Sequence, residues 1–549
     1  MGMKPIGIWV AVAVLSSCGQ VTYREEASAI GSHSVQLSGS IARDNVYGGA
    51  ASMRRVAPLA RAENLAVQIP APMAGQRPDT ERYAAMKDNV VKEVSKEPIS
   101  TFSADVDTGS YANVRRFLNS GRLPPVDAVR VEELINYFPL DKSLKAEQPH
   151  PFALSTEVVA SPWLQDAKLL RIVLEAQEQK TAEMPPAHLV FLVDVSGSMA
   201  AENKLPLVQK TLRLLTEQLR AEDMVSIVTY ASGTEVVLQA ATGREKKAIM
   251  AAIDKLKAGG STAGANAMEK AYQIAKNHQL KDGINRILMA TDGDFNVGTV
   301  DFSTLKGRVA EQRKNGISLT TLGFGTGNYN EQLMEQLADA GDGNYSYIDT
   351  EKEAKKVLQQ QLSSTLSTVA SDVKIQVEFN PNTVSQYRLI GYENRVLNQE
   401  DFNNDNKDAG EIGAGHVVTA LYELVPQGKQ GWLSPSRYQN QAVKSGLGHE
   451  YAVVNVRYKP VGKSSSVLLS RPVNTDSKPL SQASSDTRFA VAVASYGQLL
   501  RGGDMVGKQT WQDVQQLAQG AKGKDAFGLR AEFLELLGKA QQLSSQAKQ

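Results

Sequence analysis

Between residues 188 and 370 the apolar positions follow two alternating rhythms. Residues 189–193 (LVFLV) are wholly apolar, the pattern of a strand whose sheet is covered on both faces. Leu205, Val208, Leu212, Leu215 and Leu219 then recur at three- and four-residue steps, the stripe of an amphipathic helix. The same reading predicts strands at 224–230, 235–238, 284–290, 317–322 and 345–348. Helices are predicted at 245–256, 265–278, 304–314, 331–338 and 351–366. Strands alternating with helices in this way define an α/β fold with a doubly wound, mostly parallel, Rossmann-like sheet.

The flanks read differently. Upstream, Val114, Phe117 and Leu118 share one helical face and Val131, Leu134 and Tyr137 another. Candidate strands follow at 156–160 and 169–176, where Leu170, Ile172 and Leu174 share a face. Downstream, Val373, Ile375, Val377 and Phe379 alternate with polar residues, and further strands are predicted at 417–424 and 451–458. Phe489, Val493, Tyr496 and Leu500 mark a helix, and 526–546 another. The few strands on either flank cannot bury their apolar faces alone. They are therefore expected to join one β-rich domain into which the central α/β domain is inserted.

The first hundred residues carry no such rhythm. Lys4 precedes an apolar run at residues 6–15, too short to span a bilayer as a helix, which needs about 20 residues. With the small residues that follow, it reads as a secretory signal peptide over residues 1–17. The sequence Leu15-Ser16-Ser17-Cys18 is similar to a bacterial lipobox, which implies that Cys18, the single cysteine, is lipidated and becomes the mature N-terminus. Residues 18–97, rich in Ala, Ser, Gly, Arg and Pro, read as a disordered tether with a root-mean-square span of roughly 50 Å. A short helix near residues 82–94 is compatible with the pattern. The remaining divisions are 98–185, the central domain at 186–370, and a C-terminal part, β-rich then helical, at 371–549.

Composition adds one exclusion. With 60 basic and 59 acidic side chains, the net charge of +1 gives no reason to expect a nucleic-acid partner.

Open α/β sheets bind ligands at the carboxyl ends of their strands. Three such places here carry hard oxygen donors: Asp194-Val195-Ser196-Gly197-Ser198, then Gly259-Gly260-Ser261-Thr262, then Thr291-Asp292-Gly293. Two carboxylates and three hydroxyls suit Mg²⁺, or Mn²⁺, better than Zn²⁺. These segments resemble the von Willebrand factor type A (VWA) domain and its metal-ion-dependent adhesion site. The resemblance implies metal ligation by Asp194, Ser196, Ser198, Thr262 and Asp292, with a coordination position left for a carboxylate of a partner protein. Ala263 departs from the Asn found in many relatives, beside the site.

The segments FSADVDTGSYANVRRFLN, DGINRILMATDGDFNVG, VKIQVEFNP, YRLIGYENR and DAGEIGAGHVVTALYE extend the likeness. They resemble the YfbK-like group of bacterial VWA lipoproteins from about Pro98 to Leu537, with VWA-associated regions on both sides of the domain.

Other motifs are weaker. Asp105 to Ser110 echoes the metal motif without a preceding apolar strand and reads as a structural turn or cap. Asp401 to Asp405 lacks the glycine and the final glutamate of a calcium loop. Asp294 reads as a loop residue beside the site. The histidines show no zinc spacing, and no phosphate loop or G-x-S-x-G elbow occurs. Ser196 and Ser198 have no motif-borne histidine base. The expectation is thus a lipid-anchored envelope protein, bound to the membrane through Cys18, that captures an acidic group of an unidentified partner through its metal. It is expected not to be an enzyme. A metal-assisted hydrolase or chelatase-like subunit and a passive scaffold are the alternatives. Gly19 and Gln20, where inner-membrane retention would favour Asp, point to the outer membrane.

Overall fold

A computed structural model describes residues 81–547, apart from 105, 142–143, 147, 263, 294–300, 361–363, 365 and 435–446. The signal peptide, Cys18 and the tether up to residue 80 lie outside the described residues, as do Asp105, Ala263 and Asp294.

Short strands β1 (Lys92–Glu93) and β2 (Ile99–Ser103) lead into helices α1 (Gly109–Asn119) and α2 (Val131–Asn136). The hairpin β3 (Phe152–Ala160) and β4 (Lys168–Ala176) follows. The central segment then runs β5 (Ala187–Asp194), α3 (Leu205–Gln218), β6 (Met224–Tyr230), β7 (Thr234–Thr242), α4 (Lys246–Asp254) and α5 (Ala265–Asn277). It continues through β8 (Ile284–Thr291), α6 (Phe302–Lys314), β9 (Ser318–Phe324), α7 (Glu331–Ala340), β10 (Tyr345–Ile348) and α8 (Glu351–Lys355). Its sheet has the order β10-β9-β8-β5-β6-β7, parallel except for β7.

Alternate residues of β5 feed two separate cores. Leu189, Phe191 and Val193 pack with α3 and α4, whereas Val190 and Leu192 pack with α5, α6 and α7. That double coverage is why the strand is apolar at every position. Within the helix expected over residues 351–366, Glu351–Lys355 is α-helical, Lys356–Gln360 forms a π-helix, and Ser364 and Leu366 are again α-helical.

The chain then returns to β strands: β11 (Thr368–Phe379), β12 (Val384–Ile390), β13 (Val396–Leu397), β14 (Gly410–Gly413), β15 (Val417–Pro426), β16 (Glu450–Pro460) and β17 (Val467–Asn474). Helices α9 (Ser485–Leu500), α10 (Trp511–Gly520) and α11 (Leu529–Gln546) end it. The two flanks interleave. One sheet has the order β1-β12-β15-β4-β3, so β4 pairs with β15 across the whole central segment, Leu174 opposite Val418 and Leu170 opposite Tyr422. The other has the order β13-β2-β11-β16-β17, with β14 also pairing β11. Leu170, Ile172 and Leu174 of the first sheet share a core with Val373, Ile375, Val377 and Phe379 of the second.

Residues 98–185 and 371–549 are therefore not two bodies with separate cores. They form one β-sandwich, and the α/β domain is inserted between β4 and β11. Helices α1, α2 and α9–α11 cover the outer face of the first sheet, packing Val114, Leu134, Phe489, Tyr496 and Phe533 on Val159, Leu169, Ile390 and Leu421.

Residues 81–97 correct the extent expected for the tether. They are extended rather than helical and belong to the fold. Val94 is buried in the sandwich core, β1 pairs with β12, and Glu81 bonds Arg116 at 2.8 and 3.0 Å. The Arg82 backbone N–H donates to Tyr329 O at 2.8 Å, and the Glu331 N–H donates to Arg82 O at 3.1 Å. Pairing with strands and loops supplied from far along the chain leaves no periodicity of its own to read.

Candidate metal centre

All eight residues of β5 are buried, so the strand delivers Asp194 to the carboxyl edge of the sheet with no freedom to reach bulk water. The backbone N–H of Val195 donates to Tyr230 O at 2.9 Å, tying this edge to the end of β6. The turn that follows is held to the second motif segment by two backbone hydrogen bonds. Gly197 N–H donates to Gly260 O at 2.9 Å, and Gly259 N–H to Val195 O at 2.8 Å. Gly260 has φ +81°, and a Cβ there would lie 2.5 Å from Ser232 Oγ, so glycine is required for this approach. Half-buried Thr262 lies two residues further on.

Within the first turn, Asp194 Oδ1 accepts from the Ser196 N–H at 2.9 Å, and the Ser196 and Ser198 hydroxyls are 3.0 Å apart. The end of β8 supplies the third segment. Thr291 Oγ1 donates to Asp194 Oδ2 at 3.0 Å, which joins the first and third motifs directly. Asp292 follows, with no exposed surface, and Gly293 turns the chain at φ +84°. A Cβ on Gly293 would come within 2.4 Å of the Asn330 nitrogen. Burial pushes the Asp194 carboxyl up to about 6; the Asp292 charge adds to this, and the Ser196 and Thr291 hydrogen bonds oppose it.

The structure thus brings Asp194, Ser196, Ser198 and Asp292 to adjacent strand ends, with the Thr262 loop bonded to the same turn. Two buried carboxylates with hydroxyls beside them form a donor set of hard oxygens, which fits Mg²⁺ or Mn²⁺. These residues can hold a dication, and the acidic pair would be relieved by one.

Three participants were not singled out in the sequence. Thr291 stands in the third motif segment but is not among the ligands that the resemblance implies. Lys204, at the start of α3, places its Nζ 2.8 Å from Asp292 Oδ2 and 2.9 Å from Asn328 Oδ1, and Asn328 Nδ2 donates to the same Asp292 oxygen at 3.1 Å. Asn328 lies in the loop after β9, another carboxyl strand end, where the strand-end rule already points.

The secondary motifs have structural roles. Asp107 accepts from the Tyr345 N–H at 2.9 Å and pairs with Arg395. Asp401 caps a short 3₁₀ helix with Asn398, and Asp405 accepts from Ser466. His188 lies at the amino end of β5, bonded to Ser226, and burial pushes it down to about 4. A second acidic cluster, Asp342, Asp408 and Glu411, lies between the inserted domain and the sandwich. Arg313 bridges Asp342 at 2.6 Å and Asp408 at 2.8 Å. Leu319 N–H donates to Gly341 O, so this cluster adjoins the amino end of β9, away from the motif residues.

The inserted domain matches the von Willebrand factor type A domain over residues 188–361, which fixes the class of protein. The flanks match the models described as von Willebrand factor, over residues 77–171, and as uncharacterized protein YfbK, C-terminal, over residues 364–543. The chain is 49% identical over 469 residues to the uncharacterized protein YfbK of Escherichia coli (strain K12), covering 84% of this chain and 81% of that protein. It belongs to the YfbK family of VWA-domain proteins.

More distant similarity reaches human inter-alpha-trypsin inhibitor heavy chain H2, at 28% identity over 34% of this chain and 20% of that protein. Among solved structures, a von Willebrand factor type A protein from Catenulispora acidiphila is similar at 15% identity with a TM-score of 0.37. That match covers 71% of this chain and 91% of the other. VWA domains mediate protein–protein interactions and commonly bind a divalent metal.

Proposed function

We propose that this chain is a lipid-anchored envelope protein whose VWA domain holds Mg²⁺, or Mn²⁺, and uses it to capture an acidic group of a partner protein. The ion's ligands in this reading are Asp194, Ser196, Ser198, Thr262 and Asp292. The observation that carries the reading is the pair of wholly buried carboxylates, Asp194 and Asp292, at the ends of adjacent strands β5 and β8. Buried charges are costly unless paired or ligating, so a site that keeps two together is built around cationic charge. A bound dication would supply an electrophilic position for a carboxylate from outside.

Binding is favoured over hydrolysis by where the histidine of this strand lies. His188 is six residues before Asp194, about 20 Å along an extended strand, and cannot serve a hydroxyl at the other end. The anchor in this reading is lipidated Cys18, and Gly19-Gln20 after it favours the outer membrane.

The test is titration calorimetry with Mg²⁺ and Mn²⁺ on the wild type and on Asp194→Ala. Binding is expected in the wild type and lost in the variant, with the circular dichroism unchanged. Equal affinity in both would remove the site from consideration. Partner capture from envelope extract should disappear with EDTA; capture indifferent to metal would favour a passive scaffold.

A further inference from the structure

Lys204 is an unusual neighbour for a dication. Its side chain is 8% exposed and Asp292 is wholly buried, so the ion pair at 2.8 Å between them lies inside the domain. The position is constructed rather than incidental. Asn328 touches both partners, accepting from Lys204 and donating to Asp292. The aliphatic stem of Lys204 runs over Gly325, which has φ +78°. A Cβ at Gly325 would lie 2.4 Å from both Cγ and Cε of Lys204, so only glycine leaves room for the stem. Tyr347 fixes this glycine in turn, its hydroxyl donating to Gly325 O at 2.5 Å. The loop carrying Asn328 is also bound from behind, where Gly327 N–H donates to Glu81 Oε1 at 2.8 Å. An ammonium packed this way cannot swing freely into solvent when another cation arrives.

We propose that Lys204 is a resident positive charge of the metal site: it holds Asp292 while no ion is bound, and it lowers the affinity of the site for a dication. The inference rests on the metal-binding reading and deepens it. Asp194 and Asp292 supply two negative charges and Lys204 one positive, so the three groups carry a net −1. A dication would reverse this to +1, against the repulsion of an ammonium bonded to one of its own carboxylates. Repulsion between charges a few ångströms apart in a partly dry site is worth several-fold to orders of magnitude in affinity. The site would then exchange its ion with the surroundings rather than retain it permanently. Sequence motifs that name five ligands do not report this sixth group, because Lys204 donates nothing to a cation.

The experiment measures Mg²⁺ binding by calorimetry, and the shift in melting temperature on adding Mg²⁺, for the full chain as wild type, Lys204→Met and Lys204→Gln. Both neutral variants should bind Mg²⁺ at least about tenfold more tightly than the wild type. They should also melt earlier without metal, because Asp292 loses its ammonium partner, and gain more from added Mg²⁺. The melting shift keeps the test decisive where one variant folds poorly. Wild-type binding with equal or weaker binding in both variants overturns the role of Lys204 and leaves the metal reading standing. Binding by the variants alone supports the role of Lys204 and counts against the metal reading for the native chain. No binding by any of the three overturns both.

Discussion

Replacing Arg130 by Met tests what holds the inserted domain against the sandwich. Arg130 has no exposed surface and immediately precedes α2, on the sandwich side. Its Nη2 lies 2.8 Å from Glu335 and 3.3 Å from Glu331, both on α7 of the inserted domain, and its Nε lies 3.4 Å from Glu133. One guanidinium therefore bridges a buried group of three carboxylates. Burial pushes Glu331 up to about 7; the Glu335 charge adds to this, and Arg130 opposes it. Removing one partner of a buried ion pair costs about 3–5 kcal/mol, because charge is left buried with less compensation; Arg395 still lies 3.0 Å from Glu335. We expect a loss of that size at pH 8, measured by urea unfolding followed by far-ultraviolet circular dichroism.

The pH dependence has a definite sign. Glu331 has a folded-state value above its unfolded one, so the fold binds more protons between about 4.5 and 7. Its favourable contribution is complete below 4.5 and is lost as the pH rises through 7. Without Arg130, which opposes its upward shift, Glu331 holds its proton still more tightly, so the deficit of Arg130→Met should shrink on acidification. At most about 1.4 kcal/mol per pH unit is recovered for each group that takes up a proton. A loss below about 1 kcal/mol at pH 8 would refute the reasoning, as would a deficit larger at pH 6 than at pH 8.

Two further outcomes are expected. On the proposed lipid anchoring, Cys18→Ser should leave the protein unprocessed or in a soluble fraction; a mature-size species that still needs detergent would end the lipoprotein reading. Glu81→Ala removes the carboxylate that bridges Arg116 and the Gly327 N–H. Amide hydrogen exchange of residues 327–331 should accelerate in that variant, and unchanged exchange would show that the loop holds its shape without the N-terminal segment.

What could be read from the sequence depended on whether the packing on each element repeats along the chain. Strand β5 is covered by apolar layers on both faces and helix α3 along one stripe, so their rhythm is clean. Strand β11 alternates because its odd-numbered residues from Val373 to Phe379 face the sandwich core. Strand β12 has no apolar rhythm because Gln386 and Arg388 stand among its buried residues, Arg388 paired with Glu423 at 2.9 Å. Strand β17 contains Pro472 and lies at a sheet edge, where proline is tolerated but weakens any strand pattern. Helix α10 is short and mostly polar, with Val514 and Ala518 its buried residues.

The site divides along the same line. Asp194, Ser196 and Ser198 are legible together because one turn carries them, and Thr262 and Asp292 because each follows its own loop or strand signal. Lys204 and Asn328 carry no local signature, since both meet Asp292 only after the fold has formed. A balanced composition hides the interdomain charges for a similar reason. Arg115 binds Asp349 and Glu353 of the inserted domain and Glu532 of α11, at 2.5, 2.6 and 2.8 Å. Arg395 binds Asp107, Glu335 and Asp339.

These ions bear on why the inserted domain is seated through charge. An apolar seam would tolerate sliding, because hydrophobic contact has no direction. Arginine forks bonded to several carboxylates at once fix both distance and orientation, and misplacing any one strands a buried charge. The seam therefore specifies one seating of the VWA domain on its sandwich.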